Sequence, residues 1–218
     1  VGQQILIVNP NTCELVTELL ASEARRVAGG RFDIIAITAP YGSAVLQSSD
    51  DFNCARAAVT EMIAANLGFD AAIIGAFGDP GLEEVQATVP MPIFGLGRSG
   101  LLRAADGGRS FGIVTVGRKT RATIERAVAQ VGLGSQVVAL HFLDVDAQDL
   151  IRDRGALVEA AAAALSGCIE AGADAVLFGG APFAGIEALL GSNHTVPVID
   201  GMTSAMLCAL ETLSLRRG

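Results

Sequence analysis

Short runs of β-branched and other apolar residues alternate along this chain with longer, alanine-rich segments whose apolar positions recur every three to four residues. The first pattern predicts strands over residues 5–9, 33–38, 71–76, 92–95, 111–116, 137–142, 175–180 and 197–199. The second predicts helices beginning near Asn11, Ser49, Pro80, Gly97, Lys119, Asp146, Phe183 and Gly201. Several of the strands are apolar throughout, as strands covered on both faces are. Parallel strands also need the crossover connections that the helices would supply. The expected class is therefore α/β, with mostly parallel sheets flanked by helices.

The pattern also repeats. Gly68-Phe69-Asp70-Ala71-Ala72-Ile73-Ile74-Gly75-Ala76 matches Gly172-Ala173-Asp174-Ala175-Val176-Leu177-Phe178-Gly179-Gly180 at a constant offset of 104 residues. The match runs on through Gly81-Leu82 against Gly185-Ile186. After one residue of slippage Ser99 answers Ser204, and near the front of each half Ile7-Val8-Asn9 answers Ile113-Val114-Thr115. The repeat predicts two pseudo-symmetric lobes, residues 1–100 with 201–218 and residues 101–200, the last helix returning to pack on the first lobe. Open α/β sheets bind ligands beyond the carboxyl ends of their strands. An inter-lobe cleft is thus the expected site, formed by residues 9–12 and 76–79 from one lobe and 115–117 and 180–182 from the other.

The residues at those strand ends are polar or small. Asn9, Asn11 and Thr12 end the first strand and open a helix, where they would either cap it or hold a carboxylate or imide oxygen beside its first N–H groups. Phe77, Gly78 and Asp79 precede Pro80. Asp79 would cap the helix that Pro80 opens, or serve as an acid or base toward a ligand. In the second lobe Thr115 offers a hydroxyl, and Gly179-Gly180-Ala181-Pro182 allows close approach of backbone to a ligand. His141 reads as a core or rim residue and His194 as a surface one, while Arg98 lies on a turn, and Arg118 and Lys119 at the start of a helix, near the expected cleft.

Composition narrows the partners. With 15 Lys and Arg against 23 Asp and Glu the net charge is −8, which argues against a nucleic-acid binder. No apolar run has the length of a membrane span. Cys13, Cys54, Cys168 and Cys208 are widely separated and accompanied by only two histidines. They read as reduced thiols of a cytoplasmic protein, with no metal and no organic cofactor expected.

Taken in order, Asn9-Pro10-Asn11-Thr12, Phe77-Gly78-Asp79-Pro80-Gly81-Leu82, Gly112-Ile113-Val114-Thr115 and Pro197-Val198-Ile199-Asp200-Gly201 resemble the Asp/Glu/hydantoin racemase superfamily, in particular its hydantoin and allantoin racemase branch. The resemblance spans essentially the whole chain and implies two α/β lobes around a small polar metabolite, such as a hydantoin, allantoin or amino-acid derivative. It implies a cofactor-free isomerase, forming a homo-oligomer, that removes and returns a proton on the carbon next to a carbonyl. In the family two opposed cysteines do this, one per lobe. By the family's pattern those cysteines fall at Ala76 and Gly180, neither of which can carry a proton, and Arg98 stands where a glutamate is usual. Cys13, in the first helical turn, and Asp79 are the candidate replacements. An isomerase using other groups, a lyase, decarboxylase or hydrolase of small acids or cyclic amides, and a noncatalytic binder all remain open.

Overall fold

The computed structural model describes residues 2–145, 147–191 and 194–216. Its strands are β1 (Gln4–Asn9), β2 (Asp33–Thr38), β3 (Ala71–Ile74), β4 (Ile93–Gly95), β5 (Phe111–Val116), β6 (Val137–Leu143), β7 (Ala175–Phe178) and β8 (Val198–Asp200). The α-helices among the described residues are α1 (Glu14–Ala28), α2 (Ser49–Ala64), α3 (Leu82–Thr88), α4 (Leu96–Ala104), α5 (Arg121–Gln130), α6 (Ala147–Arg152), α7 (Arg154–Glu170), α8 (Ile186–Leu190) and α9 (Gly201–Leu215). The expected helix start at Asp146 lies outside the described residues.

Two four-stranded sheets form, ordered β2-β1-β3-β4 and β6-β5-β7-β8, and every pairing is parallel. The identical order in both halves is the structural form of the sequence repeat. The alternation of side chains along each strand divides the core into layers. Ile5 and Ile7 of β1 and Ile113 of β5 belong to a central apolar layer shared by both lobes, together with residues of α1, α4, α5 and α9. Leu6 and Val8 face outward into a second layer under α2 and α3, and Val114 faces a third under α7. Ile5, Leu6, Ile7 and Val8 are all 0 % exposed, which explains why the strand sequence is apolar throughout rather than alternating.

The two lobes also exchange helices. α9 packs on α1, β3 and β4 of the first lobe, as expected, and α4 packs on β7 and β8 of the second. Residues 96–104 thus leave the first lobe's sheet and lean on the other one. Small residues let α4 and α9 touch. A Cβ on Gly100 would come within 3.3 Å of the Gly201 Cα, and one on Gly201 would collide with Leu96. A common core and reciprocal helix packing fix the lobes against each other, so the cleft between them is a preformed site.

Candidate functional site

The strand order places a switch point between β1 and β3 in one sheet and between β5 and β7 in the other, and the chain runs in opposite directions from each. Ligands settle at such points. A cavity of about 160 Å³ opens there between the two sheets. Asn11 stands on one side after β1, with Gly75, Ala76 and Phe77 after β3. Thr115, Val116 and Gly117 face them at the end of β5, with Gly180, Ala181 and Pro182 after β7. Of the sequence candidates, Asn11, Ala76, Phe77, Thr115, Gly180, Ala181 and Pro182 are therefore brought together around one space.

Asn9, Thr12, Gly78, Asp79 and Cys13 do not line it. Asn9 is 0 % exposed and works inside the turn. Its Nδ2 donates to Asn11 Oδ1 at 3.1 Å, to the Cys13 carbonyl at 3.0 Å and to Thr17 Oγ1 at 2.9 Å, while its Oδ1 accepts from the Asn11 N–H at 3.1 Å. Asn11 Oδ1 in turn accepts from the Cys13 N–H at 2.9 Å. This network holds Asn11 at the cavity wall. Asn11 does not cap α1, which begins at Glu14 with Cys13 as its cap residue. Thr12 is occupied through its N–H, which donates to the Ser43 carbonyl at 3.2 Å.

Asp79 has a different task from either one expected of it. Its Oδ1 accepts from the Gly97 N–H at 2.8 Å and its Oδ2 from the Arg98 N–H at 2.6 Å, so it caps α4 rather than α3. The reason lies at Gly95, the cap residue of α4, which has no side chain to offer. A Cβ there would collide with the Asp79 carboxylate that fills the space. Desolvation pushes the Asp79 carboxyl up to about 7, against the pull of the two N–H bonds and of the Arg98 charge. Pro80 does not open a helix, since α3 starts at Leu82 behind a left-handed Gly81.

The cysteines stand away from the cavity. None of the four lines it. Cys13 packs against the central core, and Cys168 lies on the buried face of α7 with its thiol pushed up to about 11 by burial. His141 lies on β6 with its ring near Gly167 of α7, and His194 is half-buried in the loop before β8.

Part of the wall comes from residues the sequence reading missed. Ala44, Val45, Leu46 and Gln47 belong to the loop after β2, and Phe52 to the first turn of α2. Asp51 ties this loop down, accepting from the Ser43 hydroxyl and from the Gln47 and Ser48 N–H groups at 3.0 and 2.8 Å. Those bonds, led by the Ser43 hydroxyl, hold its carboxyl well below the usual carboxylate range. The signal available was positional: β2 is the neighbour of β1, so the loop after it must border the switch point. Thr120 and Ile124 before and within α5, and Val145 and Ile151 near α6, complete the opposite wall.

Two further bonds shape the second lobe's turn. Thr115 Oγ1 donates to the Gly179 carbonyl at 2.8 Å, leaving its lone pairs for an incoming donor. Arg154, at the start of α7, donates to the Pro182 carbonyl at 2.6 Å and the Ala184 carbonyl at 3.1 Å. The Phe77 ring crosses from the first lobe to lie against Gly179, where a Cβ would come within 2.9 Å of it. Ala76 and Gly180 thus flank the cavity from equivalent positions in the repeat, and among the described residues none that lines it carries an ionisable side chain. Among the described residues no helix is long and apolar enough to cross a membrane. Nor do three or more His, Cys, Asp or Glu among them cluster to hold a metal ion.

Two parallel α/β sheets of identical order, meeting at a cavity between their switch points, define a duplicated-lobe α/β protein. The chain belongs to the Asp/Glu/Hydantoin racemase family, whose profile matches residues 5–209. It is 27% identical over 216 residues to the hydantoin racemase of Paenarthrobacter aurescens, covering 97% of this chain and 92% of that one. Among solved structures it resembles the allantoin racemase from Klebsiella pneumoniae, with a TM-score of 0.89 and 28% identity over 98% of this chain and 89% of the other. The allantoin racemase from Pseudomonas fluorescens matches equally, with a TM-score of 0.89 and 27% identity over 98% and 92% of the two chains.

Proposed function

We propose that the chain holds a neutral cyclic amide of the hydantoin or allantoin type in the inter-lobe cavity, and that no side chain of the cavity moves a proton on it. The observation that carries this reading is the lining itself, which among the described residues offers amides, hydroxyls, backbone and apolar surface but no carboxylate, imidazole, amine, guanidinium or thiol. A two-base inversion needs a proton acceptor on one face of the ring carbon and a donor on the other. Ala76 and Gly180, which flank the cavity at the positions the family resemblance gives to the two cysteines, would supply neither. Among the described residues no cation lines the cavity, so a free amino-acid carboxylate would leave water without a charged partner there. A ring whose polar groups are neutral carbonyls and N–H groups fits the Asn11 and Gln47 amides and the Thr115 hydroxyl.

Isomerisation assisted by water is the second reading, and one feature favours it. The Phe77 and Ala181 N–H groups, at equivalent positions in the two turns, donate to no acceptor among the described residues. N–H groups so placed stabilise the oxyanion of an enolate-like intermediate, and a solvent base would then complete a slow exchange.

Calorimetric titration tests the ligand class. The expected outcome is saturable heat with 5-substituted hydantoins or allantoin and none with aspartate or glutamate. Binding of the free amino acids, with the ring compounds inert, would overturn it.

A further inference from the structure

A second hollow, of about 300 Å³, lies between the lobes on the far side of the Phe52 ring. α2 brings Asn53 and Arg56 to it, the first turn of α4 brings Arg98, and α5 brings Thr123, Arg126 and Gln130. In a chain of net charge −8 with only 15 basic residues, three arginines from three helices meet around one space.

Their guanidinium groups are largely uncommitted. Those of Arg98 and Arg126 make no hydrogen bond or ion pair with the described residues. Arg56 has one 3.4 Å contact with Glu84, both side chains about half exposed, and a pair of that kind is worth little in water. The side chains of Asn53, Thr123 and Gln130 have no partner among the described residues either. Acidic groups border the hollow as well: Glu83 and Glu84 on α3, and Asp79 beneath. Both Asp79 oxygens, however, are taken by the Gly97 and Arg98 N–H groups, and desolvation leaves part of its charge neutralised near pH 7.

We propose that this hollow is a binding site for a small oxyanion, a phosphate or carboxylate group, held by the forked donors of Arg98 and Arg126 with Arg56 drawn over from Glu84. Planar guanidinium groups grip such oxygens two at a time. The site is separate from the racemase-type cavity: the Phe52 ring lines both, and behind it Gly78 fits so closely that an added Cβ would come within 2.7 Å of Thr123.

The test is calorimetric titration of the chain with inorganic phosphate and, separately, with succinate, at fixed ionic strength. At least one is expected to bind saturably, and which one does identifies the group. The affinity should fall tenfold or more in Arg98→Glu/Arg126→Glu, while Arg25→Glu, an exposed change on α1 away from the hollow, should leave it unaltered. The three arginines are exposed, and circular dichroism would show the variants folded. Saturable binding of neither anion, or binding that survives the double substitution, overturns the proposal.

Discussion

The turns after β3 and β7 share one hydrogen-bond skeleton and differ at its centre. Gly75 N–H donates to the Val8 carbonyl at 2.8 Å, and Gly179 N–H to the Val114 carbonyl at 2.8 Å. Each turn then closes three residues on, Asp79 N–H to the Ala76 carbonyl and Phe183 N–H to the Gly180 carbonyl, both at 3.1 Å. Yet Ala76 has an ordinary backbone, whereas Gly180 sits at φ 119° and ψ 156°, a region that side chains avoid. The two positions are therefore not equivalent in what side chain they admit. A cysteine could stand at Ala76 on the existing backbone; at Gly180 it would have to bend the turn first. The two turns thus share their hydrogen bonds and differ in the backbone at their centres.

The largest expected effect contrasts the polar residues that end β1 and β5. Asn9→Ala removes the donor to three acceptors and leaves the Asn11 N–H without its partner, at a position that is itself fully buried. It should cost about 2–4 kcal/mol in urea unfolding. Thr115→Val removes a single hydroxyl bond and should cost about 1 kcal/mol in the same assay. Equal losses would show that the first lobe's turn is not the more tightly organised.

Cysteine replacements sharpen the contrast between the turn centres. Gly180→Cys should lose about 1–3 kcal/mol to backbone strain. Ala76→Cys should stay within about 1 kcal/mol of the parent, since it adds one atom at the rim of an existing cavity. A stable Gly180→Cys protein would mean that the second turn adjusts freely.

The caps of α4 and α9 provide a smaller test, in pH. Asp79, borrowed from another turn, and Asp200, the cap residue of α9 itself, are both pushed up by desolvation, to about 7 and about 6. A carboxyl whose folded value exceeds its unfolded one binds more protons when folded. Stability therefore declines as pH rises from about 4 through those values. Asp79→Asn should flatten the decline up to about pH 7, and Asp200→Asn only the part below about 6, as read by unfolding midpoints across that range.

Much of this architecture was legible in the sequence, because parallel strands buried on both faces announce themselves as apolar runs. The predicted strand over 71–76 overshoots β3 by two residues, since the turn residues Gly75 and Ala76 are as apolar as the strand itself. Helices expected from Pro80 and Phe183 begin instead at Leu82 and Ile186, after left-handed Gly81 and Gly185. The repeat pointed to the cavity, and nine of its lining residues fall within the stretches it marked. It could not show that Asp79 serves a helix distant in sequence, for that depends on the empty place at Gly95. Nor does the loop after β2 carry a periodicity that would mark Ala44–Gln47 as wall.

The central claim, a ring held without proton transfer by the chain, is tested most directly by proton NMR in deuterated water. A single enantiomer of a 5-substituted hydantoin is followed at its ring α-proton in the presence and absence of protein. The expected result is line broadening from binding, while the α-proton exchanges no faster than in buffer and optical rotation holds. Protein-dependent exchange with inversion, lost on competition with excess unlabelled ring ligand, would contradict it.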